Sequence, residues 1–240
     1  MQGPLNAIEL PLLDGMPHPC PYLPGRLAAN EFMFLSDFSA ADYAAMMDRG
    51  FRRSGEVVYR PICRGCNECT PIRVPVAQFR ASRSHRRVLK KNRDVEVEIA
   101  PPALTDEKWR VYSSYLAAMH DGSMGDCRED LEEFLYRSPI DTQEMVYRVA
   151  GQVVAVGIVD VCPQALSSVY FFFDPAHARR SLGIFGALME IEECRRRGLA
   201  YWYIGYYVRD CRRMNYKTQF RPYELLGEDG VWSPPSTHES

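Results

Sequence analysis

The sequence contains no run of 18 apolar residues, so no segment of it is long enough to cross a bilayer. Its first residues, Met1-Gln2-Gly3-Pro4, lack a basic start followed by an apolar core, which leaves the cytosol as the expected compartment. Glycine and proline are sparse, 16 and 17 among 240 residues, which excludes a low-complexity or collagen-like chain. Lysine is rarer still, since 25 of the 29 basic residues are arginine. Acidic residues are missing altogether from Thr70 to Arg93. What remains, 46% hydrophobic and 25% charged residues, suits an ordinary globular protein that buries a core without disulfides. Eight cysteines in a reducing compartment then read as thiols or metal ligands.

Net charge is −2, but it is unevenly placed. Residues 1–100 carry 14 basic and 11 acidic groups, whereas residues 101–240 carry 15 and 20. Guanidinium groups suit bidentate phosphate contacts. A locally basic face on a nearly neutral chain points to a polyanion bound transiently, and not to a chromatin-type DNA binder.

The pattern divides the chain at Pro101-Pro102 into a first part, 1–100, and a second, 101–240. In the first, a Pro-punctuated extended segment leads to a helix over Ser39–Arg49, capped by Ser39 with Asp42 and ended by Gly50. Strands are expected at Val57–Tyr59 and Ile72–Val76 around a Cys-rich loop, then a basic helix Ser84–Asn92 and a strand Val95–Ile99. In the second, helix Thr105–His120 and an acidic helix Glu129–Tyr136 precede strands Met145–Ala150, Val153–Val161 and Val169–Phe173. The last of these is apolar on both faces and is expected to be buried on both. Helix Gly183–Arg197 and strand Ala200–Tyr206 complete an α/β (α+β) layer with helices over a mixed sheet.

Asp174 to Gly183 joins a strand to a helix N-terminus, where free amides favour an anion. Arg180-Ser181-Leu182-Gly183-Ile184-Phe185 resembles the coenzyme A pyrophosphate signature of N-acetyltransferases (GNAT), except that Phe185 stands where a small residue is expected. A bulky side chain there is expected to obstruct the pyrophosphate.

A longer set of phrases is more specific. Arg49-Gly50-Phe51-Arg52-Arg53-Ser54-Gly55, Tyr59-Arg60-Pro61 and Arg83-Ser84-His85-Arg86-Arg87-Val88 are followed by His120-Asp121-Gly122 and Val169 to Pro175. Then come Tyr203-Ile204-Gly205-Tyr206-Tyr207-Val208, Cys211, Met214-Asn215-Tyr216-Lys217 and Phe220 to Leu226. From Pro21 to Leu226 the chain resembles the aminoacyl-tRNA–protein transferases of the N-degron pathway, more closely their bacterial aspartate/glutamate leucyltransferase branch. The resemblance implies transfer of leucine from aminoacyl-tRNA (Leu-tRNA) to proteins with an N-terminal Asp or Glu, marking them for degradation. It also implies an acetyltransferase-like catalytic region without coenzyme A. Arginyl transfer, a coenzyme A-dependent N-acetyltransferase and a non-catalytic tRNA-binding protein are the alternatives.

The chemistry needs little: the donor is an activated ester, and the acceptor α-amine, with a pKa of about 7.7–8, is already partly neutral. Positioning and leaving-group protonation can suffice, so no cofactor is required. The acyl carbonyl is expected where strands 169–174 and 200–206 diverge, with Tyr170, Asp174, Tyr206 and Tyr207 as catalytic candidates. Phe172, Arg209, Tyr216 and Lys217 are the substrate-binding candidates. Phe172 is assigned to an aromatic wall for the leucyl group, and Arg209 and Lys217 to the acceptor carboxylate, with Arg60 or Arg73 next in line. Arg83, Arg86, Arg87, Lys90 and Lys91 cover one helix face and are assigned to tRNA phosphates, where such contacts position rather than specify. Cys63-x2-Cys66-x2-Cys69, with a fourth ligand from Cys20, His18 or His85 and Cys20 the first choice, has the spacing for Zn or an iron–sulfur cluster, weighed evenly against a plain thiol cluster. His120 beside Asp121 is a weaker acid–base candidate.

Overall fold

A computed structural model describes residues 12–35, 38–119 and 127–235. In chain order the elements are β1 (Leu13–Asp14), β2 (His18–Pro19), β3 (Leu27–Ala28), β4 (Asn30–Phe34), α1 (Ala40–Asp48), β5 (Arg52–Ser54) and β6 (Val57–Pro61). Next are β7 (Thr70–Pro75), α2 (Arg83–Lys91), β8 (Glu96–Ala100), α3 (Asp106–Met119) and α4 (Arg128–Leu131), the last continued by a π-helical turn Glu132–Tyr136. The second half adds β9 (Thr142–Val149), β10 (Gln152–Cys162), β11 (Ala165–Phe173), a 3-10 turn Pro175–Arg180, α5 (Leu182–Arg197) and β12 (Tyr201–Tyr207). Last come α6 (Arg212–Asn215), a 3-10 turn Tyr216–Gln219, β13 (Glu224–Leu226) and β14 (Trp232–Ser233).

One eight-stranded sheet, ordered β14-β13-β7-β12-β11-β10-β9-β8, carries the molecule. Every neighbour pair is antiparallel except β11 with β12. Because β7 and β8 precede Pro101, both parts of the chain contribute strands to it. A smaller sheet, β1-β4-β6-β5, and the pair β2-β3 belong to the first part alone.

Helices bury complementary stripes on the two faces. On one face α5 packs Phe185, Leu188, Ile191 and Cys194 against Tyr147, Ala155, Leu166 and Trp202. On the other, Val111, Tyr112 and Leu116 of α3 cover Val146, Val156, Ile158 and Phe172. Tyr43, Met46 and Met47 of α1 cover Val58, Cys162, Ala165 and Tyr203. The capping box expected for α1 is present, with Ser39 and Asp42 bonded reciprocally. Gly50 ends the helix at φ +88, and a Cβ there would press on Pro71 and Leu226.

Two expectations need correction. The strand at 169–173 is not buried throughout: Val169, Tyr170, Phe171 and Phe173 keep part of their surface, and only Phe172 is fully enclosed. The parting of β11 from β12 uncovers this end. Phe185 does not obstruct the loop before α5, because the helix turns its ring into the core against Tyr147 at 5.9 Å. The close approach is instead at Gly186, where a Cβ would lie 2.2 Å from the Phe171 ring.

The small sheet is bolted to the large one by a buried ion pair. Arg53 Nε and Nη2 donate to the two carboxylate oxygens of Asp160, each at 2.8 Å, and both side chains are wholly enclosed. Thr142 Oγ1 donates to the same carboxylate at 2.6 Å, so its lone pairs are well used.

Candidate active site

The parallel pair β11–β12 is joined only through Ala165–Tyr201, Leu166–Trp202 and Ser167–Tyr203. Beyond Ser167 and Tyr203 the strands part, which makes a fork in the sheet. Gly205, at φ +89, sits in a register break between β12 and β7. Only glycine takes that backbone readily. The break also shifts the alternation, so Tyr206 turns toward Tyr59 of the small sheet while Tyr207 packs on the α5-side core.

The 3-10 turn Tyr216–Gln219 brings Lys217 to this fork. The side chain is buried, and Nζ donates to the Tyr206 carbonyl at 2.7 Å. It lies 3.5 Å from where a Gly205 Cβ would be, so the missing side chain leaves room beside the amine. Burial, then the positive charge of Arg52, push the Lys217 pKa down to about 7. Arg52 is itself buried among carbonyls: Nη1 donates to Phe51 O at 2.6 Å and Nη2 to Gly205 O at 3.3 Å. Its guanidinium lies over the Tyr203 and Tyr206 rings, 5.2 and 5.6 Å from their centroids. Its Nε has no hydrogen-bond partner among the described residues.

On the α5 side of the fork stands Glu190, 1% exposed. It accepts from Trp202 Nε1 at 2.7 Å and from Ser168 Oγ at 3.3 Å. Desolvation pushes its pKa up to about 7, against the pull of those two donors. The sequence patterns single out neither Arg52 nor Glu190. Glu190 had a signal, an acid at the i+3 position from Ala187 and i−4 from Cys194, inside an otherwise apolar stripe. Arg52 lay within a family-like phrase, and only the fold shows that it is enclosed.

The other candidates separate into groups. Tyr170 stays partly exposed near Tyr112 and Tyr115, with ring centroids 6.3 and 6.5 Å away. Tyr216 is 40% exposed at the fork, yet burial of its hydroxyl pushes the pKa up to about 12. Tyr206 is enclosed, and its hydroxyl donates to Gly50 O at 2.8 Å. Asp174 caps the 3-10 turn, accepting from Ala176 N at 2.9 Å. Phe172, wholly buried and edge-on to Tyr112 at 5.3 Å, does not line a cleft. Arg73 is committed to Asp48 at 2.9 Å and Glu224 at 2.7 Å, and Arg60 to Glu31. His120 and Asp121 lie outside the described residues.

A groove of about 1130 Å³ runs from the fork's end under the small sheet. Tyr206, Tyr207 and Arg209 line it on one side, and Arg49, Tyr59 and Arg60 on the other. The four cysteines form part of its wall. Cys20, Cys63 and Cys66 lie around Cys69, and each also meets another group: Cys20 Sγ accepts from Leu23 N, Cys66 Sγ from Arg26 Nη1, and Cys63 Sγ donates to Ala29 O. Burial and the neighbouring thiols push Cys69 up to about 12. Among the described residues no three His, Cys, Asp or Glu side chains are arranged to hold a metal. As placed, the quartet does not fit a metal ion or cluster.

Helix α2 presents Arg83, Arg86, Arg87, Lys90 and Lys91 outward, with no carboxylate ion-paired to them among the described residues. Beneath, His85 stacks on Phe220 at 5.1 Å. The helix end clasps the turn before α5: Lys91 Nζ donates to Arg179 O at 2.8 Å and Asn92 Nδ2 to Arg180 O at 2.9 Å. Arg180, the signature arginine, forms a bidentate pair with Asp94 at 2.9 and 2.8 Å.

A mixed sheet with a forked parallel pair, helices on both faces and an enclosed lysine at the fork make up the frame of the candidate site. A solved structure of FemX matches 83% of the chain and 82% of its own, with a TM-score of 0.51 at 7% identity, a likeness of fold alone. The family described as "Arginine-tRNA-protein transferase, N terminus" matches residues 18–87, and "Arginine-tRNA-protein transferase, C terminus" matches 107–227. An aspartate/glutamate leucyltransferase of Pseudomonas fluorescens (strain SBW25) is 43% identical over 215 residues, 88% of this chain and 91% of that protein. One of Marinobacter nauticus is 41% identical over 226 residues, 92% and 94% of the two. The chain belongs to the aminoacyl-tRNA–protein transferase family. Its substrate is therefore an aminoacyl-tRNA, and among the described residues no helix is long and apolar enough to cross a membrane.

Proposed function

We propose that this enzyme transfers leucine from Leu-tRNA to an N-terminal Asp or Glu, with the bond made at the β11–β12 fork. The donor and acceptor rest on the 41–43% identity to leucyltransferases of that description across about nine-tenths of the chain. The single observation that carries the chemistry is Lys217, an enclosed amine near neutrality beside Gly205.

The acceptor's α-amine nitrogen attacks the ester carbonyl, forming an amide bond and breaking the ester C–O bond. The terminal ribose hydroxyl leaves. Lys217 takes the proton from the attacking nitrogen and returns one to the ribose oxygen, a transfer that favours a group with a pKa near 7. This role replaces the fixed cation expected of Lys217, since an amine near neutrality is a poor carboxylate partner. Arg209 at the groove reads the acceptor carboxylate, and the groove holds the residues that follow. Tyr206 holds its own carbonyl, and so Lys217, in place. The outward face of α2 takes tRNA phosphates, and the division near residue 100 is one of role. A Zn or iron–sulfur site at Cys20, Cys63, Cys66 and Cys69 would need three of the thiols, Cys20, Cys63 and Cys66, to leave their present partners, so no step passes through it. The compartment that fits is the cytosol, where charged tRNA is found.

Labelled Leu-tRNA, Arg-tRNA and acetyl-coenzyme A, each offered with peptides beginning in Asp, Glu, Asn or Lys, test this reading. The expected product is leucyl-Asp or leucyl-Glu peptide. Arginine or acetyl transfer in its place would overturn it.

A further inference from the structure

The groove beneath the small sheet is opposite in sign to the chain that forms it. The whole sequence carries 31 acidic and 29 basic residues, yet four arginines line the groove against two acids. The arginines are Arg26, Arg49, Arg60 and Arg209, and the acids are Glu68 and Glu228. Two of these six charges are already engaged. Arg60 pairs with Glu31, and its Nη1 donates to the Arg49 carbonyl at 3.4 Å, which steadies the end of α1. Glu228 accepts from Asn67 Nδ2 at 2.7 Å. Arg49 differs from Arg60. Its backbone is held by that contact, whereas its side chain is exposed and has no ion pair among the described residues. Arg26, just before β3, is exposed as well; its Nη1 donates to Cys66 Sγ at 3.2 Å, with Glu68 nearby. The groove is also separate from the basic face of α2. Val88 and Leu89 of α2 pack on the α5-side core, whereas β2, β3, β4 and β6 wall the groove from the small sheet, on which α1 packs. A polyanion held along α2 therefore does not account for the arginines in the groove.

We propose that Arg49 and Arg26 select acceptors whose first residue is followed by further acidic residues, so that the groove takes an acidic peptide in preference to a neutral or basic one. The proposal rests on the groove being the acceptor's path to the fork. An extended peptide turns successive side chains to opposite sides. A run of acids, and not a single one, is what presents carboxylates to both arginines. Each such pair is exposed, so it is worth a few-fold and is screened by salt. The selection is a sum of small terms added to the reading of the first residue, and it disfavours a lysine-rich segment by repulsion.

The test uses three acceptor peptides, each an N-terminal Asp followed by a run of Glu, of Gln or of Lys, with Leu-tRNA as donor. For the intact chain kcat/KM should fall about 5-fold from the Glu to the Gln peptide and further to the Lys peptide, with the difference in KM. In the charge-reversed double variant Arg26→Glu, Arg49→Glu the order should invert, leaving the Lys peptide the best acceptor. An unchanged order in the variant, or no order in the intact chain, overturns the assignment. So does a variant that loses tRNA affinity and keeps the peptide order, since the arginines then serve the nucleic acid. Fluorescence anisotropy of the same peptides, labelled at the C-terminus, supplies an arm without a donor. The intact chain should bind the Glu peptide about 10-fold more tightly than the Lys peptide at low salt, a gap that narrows as salt rises. Equal binding of the two contradicts the proposal. If the intact chain transfers no leucine to any peptide, the functional reading fails by that result alone, and the anisotropy arm still decides which peptide the groove takes.

Discussion

Arg52 and Arg53 are neighbours on one short strand, and their guanidinium groups meet opposite circumstances. Arg53 closes a bidentate pair with Asp160, with Thr142 completing the set. Arg52, equally buried, finds only carbonyls and two tyrosine rings, and its Nε is unmet. Beside the second arginine lies Lys217, whereas Glu190 stands on the α5 side of the fork among Trp202 and Ser168. Paired burial fixes the small sheet on the large one. On the reading proposed for the fork, unpaired burial leaves groups there that substrate can complete, at some expense of stability.

Breaking the paired side has the largest effect. Asp160→Ala leaves Arg53 as an enclosed charge and should cost about 3–5 kcal/mol, read as a fall in the urea midpoint. Glu190→Gln, at an equally buried carboxylate, should be neutral or slightly stabilising in the same titration. A comparable loss there would erase the distinction between the two sites.

Next in size is the amine. Lys217→Met should lower kcat by about 10²-fold or more, the usual reach of acid–base catalysis, without lowering stability. Gly186→Ala should cost about 1–3 kcal/mol, because a Cβ there would lie 2.2 Å from the Phe171 ring, which must shift. Thermal melts of this variant beside Gly183→Ala, where a Cβ meets nothing within 4 Å, separate packing from helix propensity.

Stability itself should depend on pH in a way the two groups dictate. The unfolded chain binds Glu190's proton only below a pKa of about 4.3, and the folded one holds it to about 7. Between those values the folded state carries more protons, so the Glu190 contribution falls as pH rises. Lys217 is the reverse: from about 7 in the folded state to about 10.4 in the unfolded chain, the unfolded state carries more protons and stability rises with pH. Together they give a minimum near neutrality. Glu190→Gln should flatten the acid limb and Lys217→Met the alkaline one, measured by chemical denaturation across the range.

The smallest effect belongs to the outer surface. Reversing charge at Arg86, Arg87 and Lys90, which spares the Lys91 clasp, should weaken tRNA binding several-fold. The salt dependence should fall by about 1 in log–log slope for each lost phosphate contact. Unchanged affinity would remove α2 from the interface.

Sequence reading reached α1 and its capping box, the hairpin β9–β10 and helix α5, because caps, turns and apolar stripes are local signals. It missed β4, β5 and the short strands at β13 and β14, whose pairing is set by distant partners. At the site it reached Lys217 by phrase, but not its state, which needs the tertiary neighbours Arg52 and Tyr206. The Phe185 expectation failed because motif position does not give helix phase: one residue further on, Gly186 is the position that must stay small. Glu190 was visible as an acid in an apolar stripe, but its partners Trp202 and Ser168 come only with the fold.

The account stands on Lys217 as the amine that moves the proton. The most direct measurement is single-turnover leucine transfer to saturating Asp-peptide as a function of pH, for the intact chain and for Lys217→Met. The intact chain should show a rate limb near pH 7. The variant should lose it, keep only a slow rate that follows the acceptor amine at about 7.7–8, and melt no lower than the intact chain. A variant that retains both the rate and the limb near 7 would contradict the account.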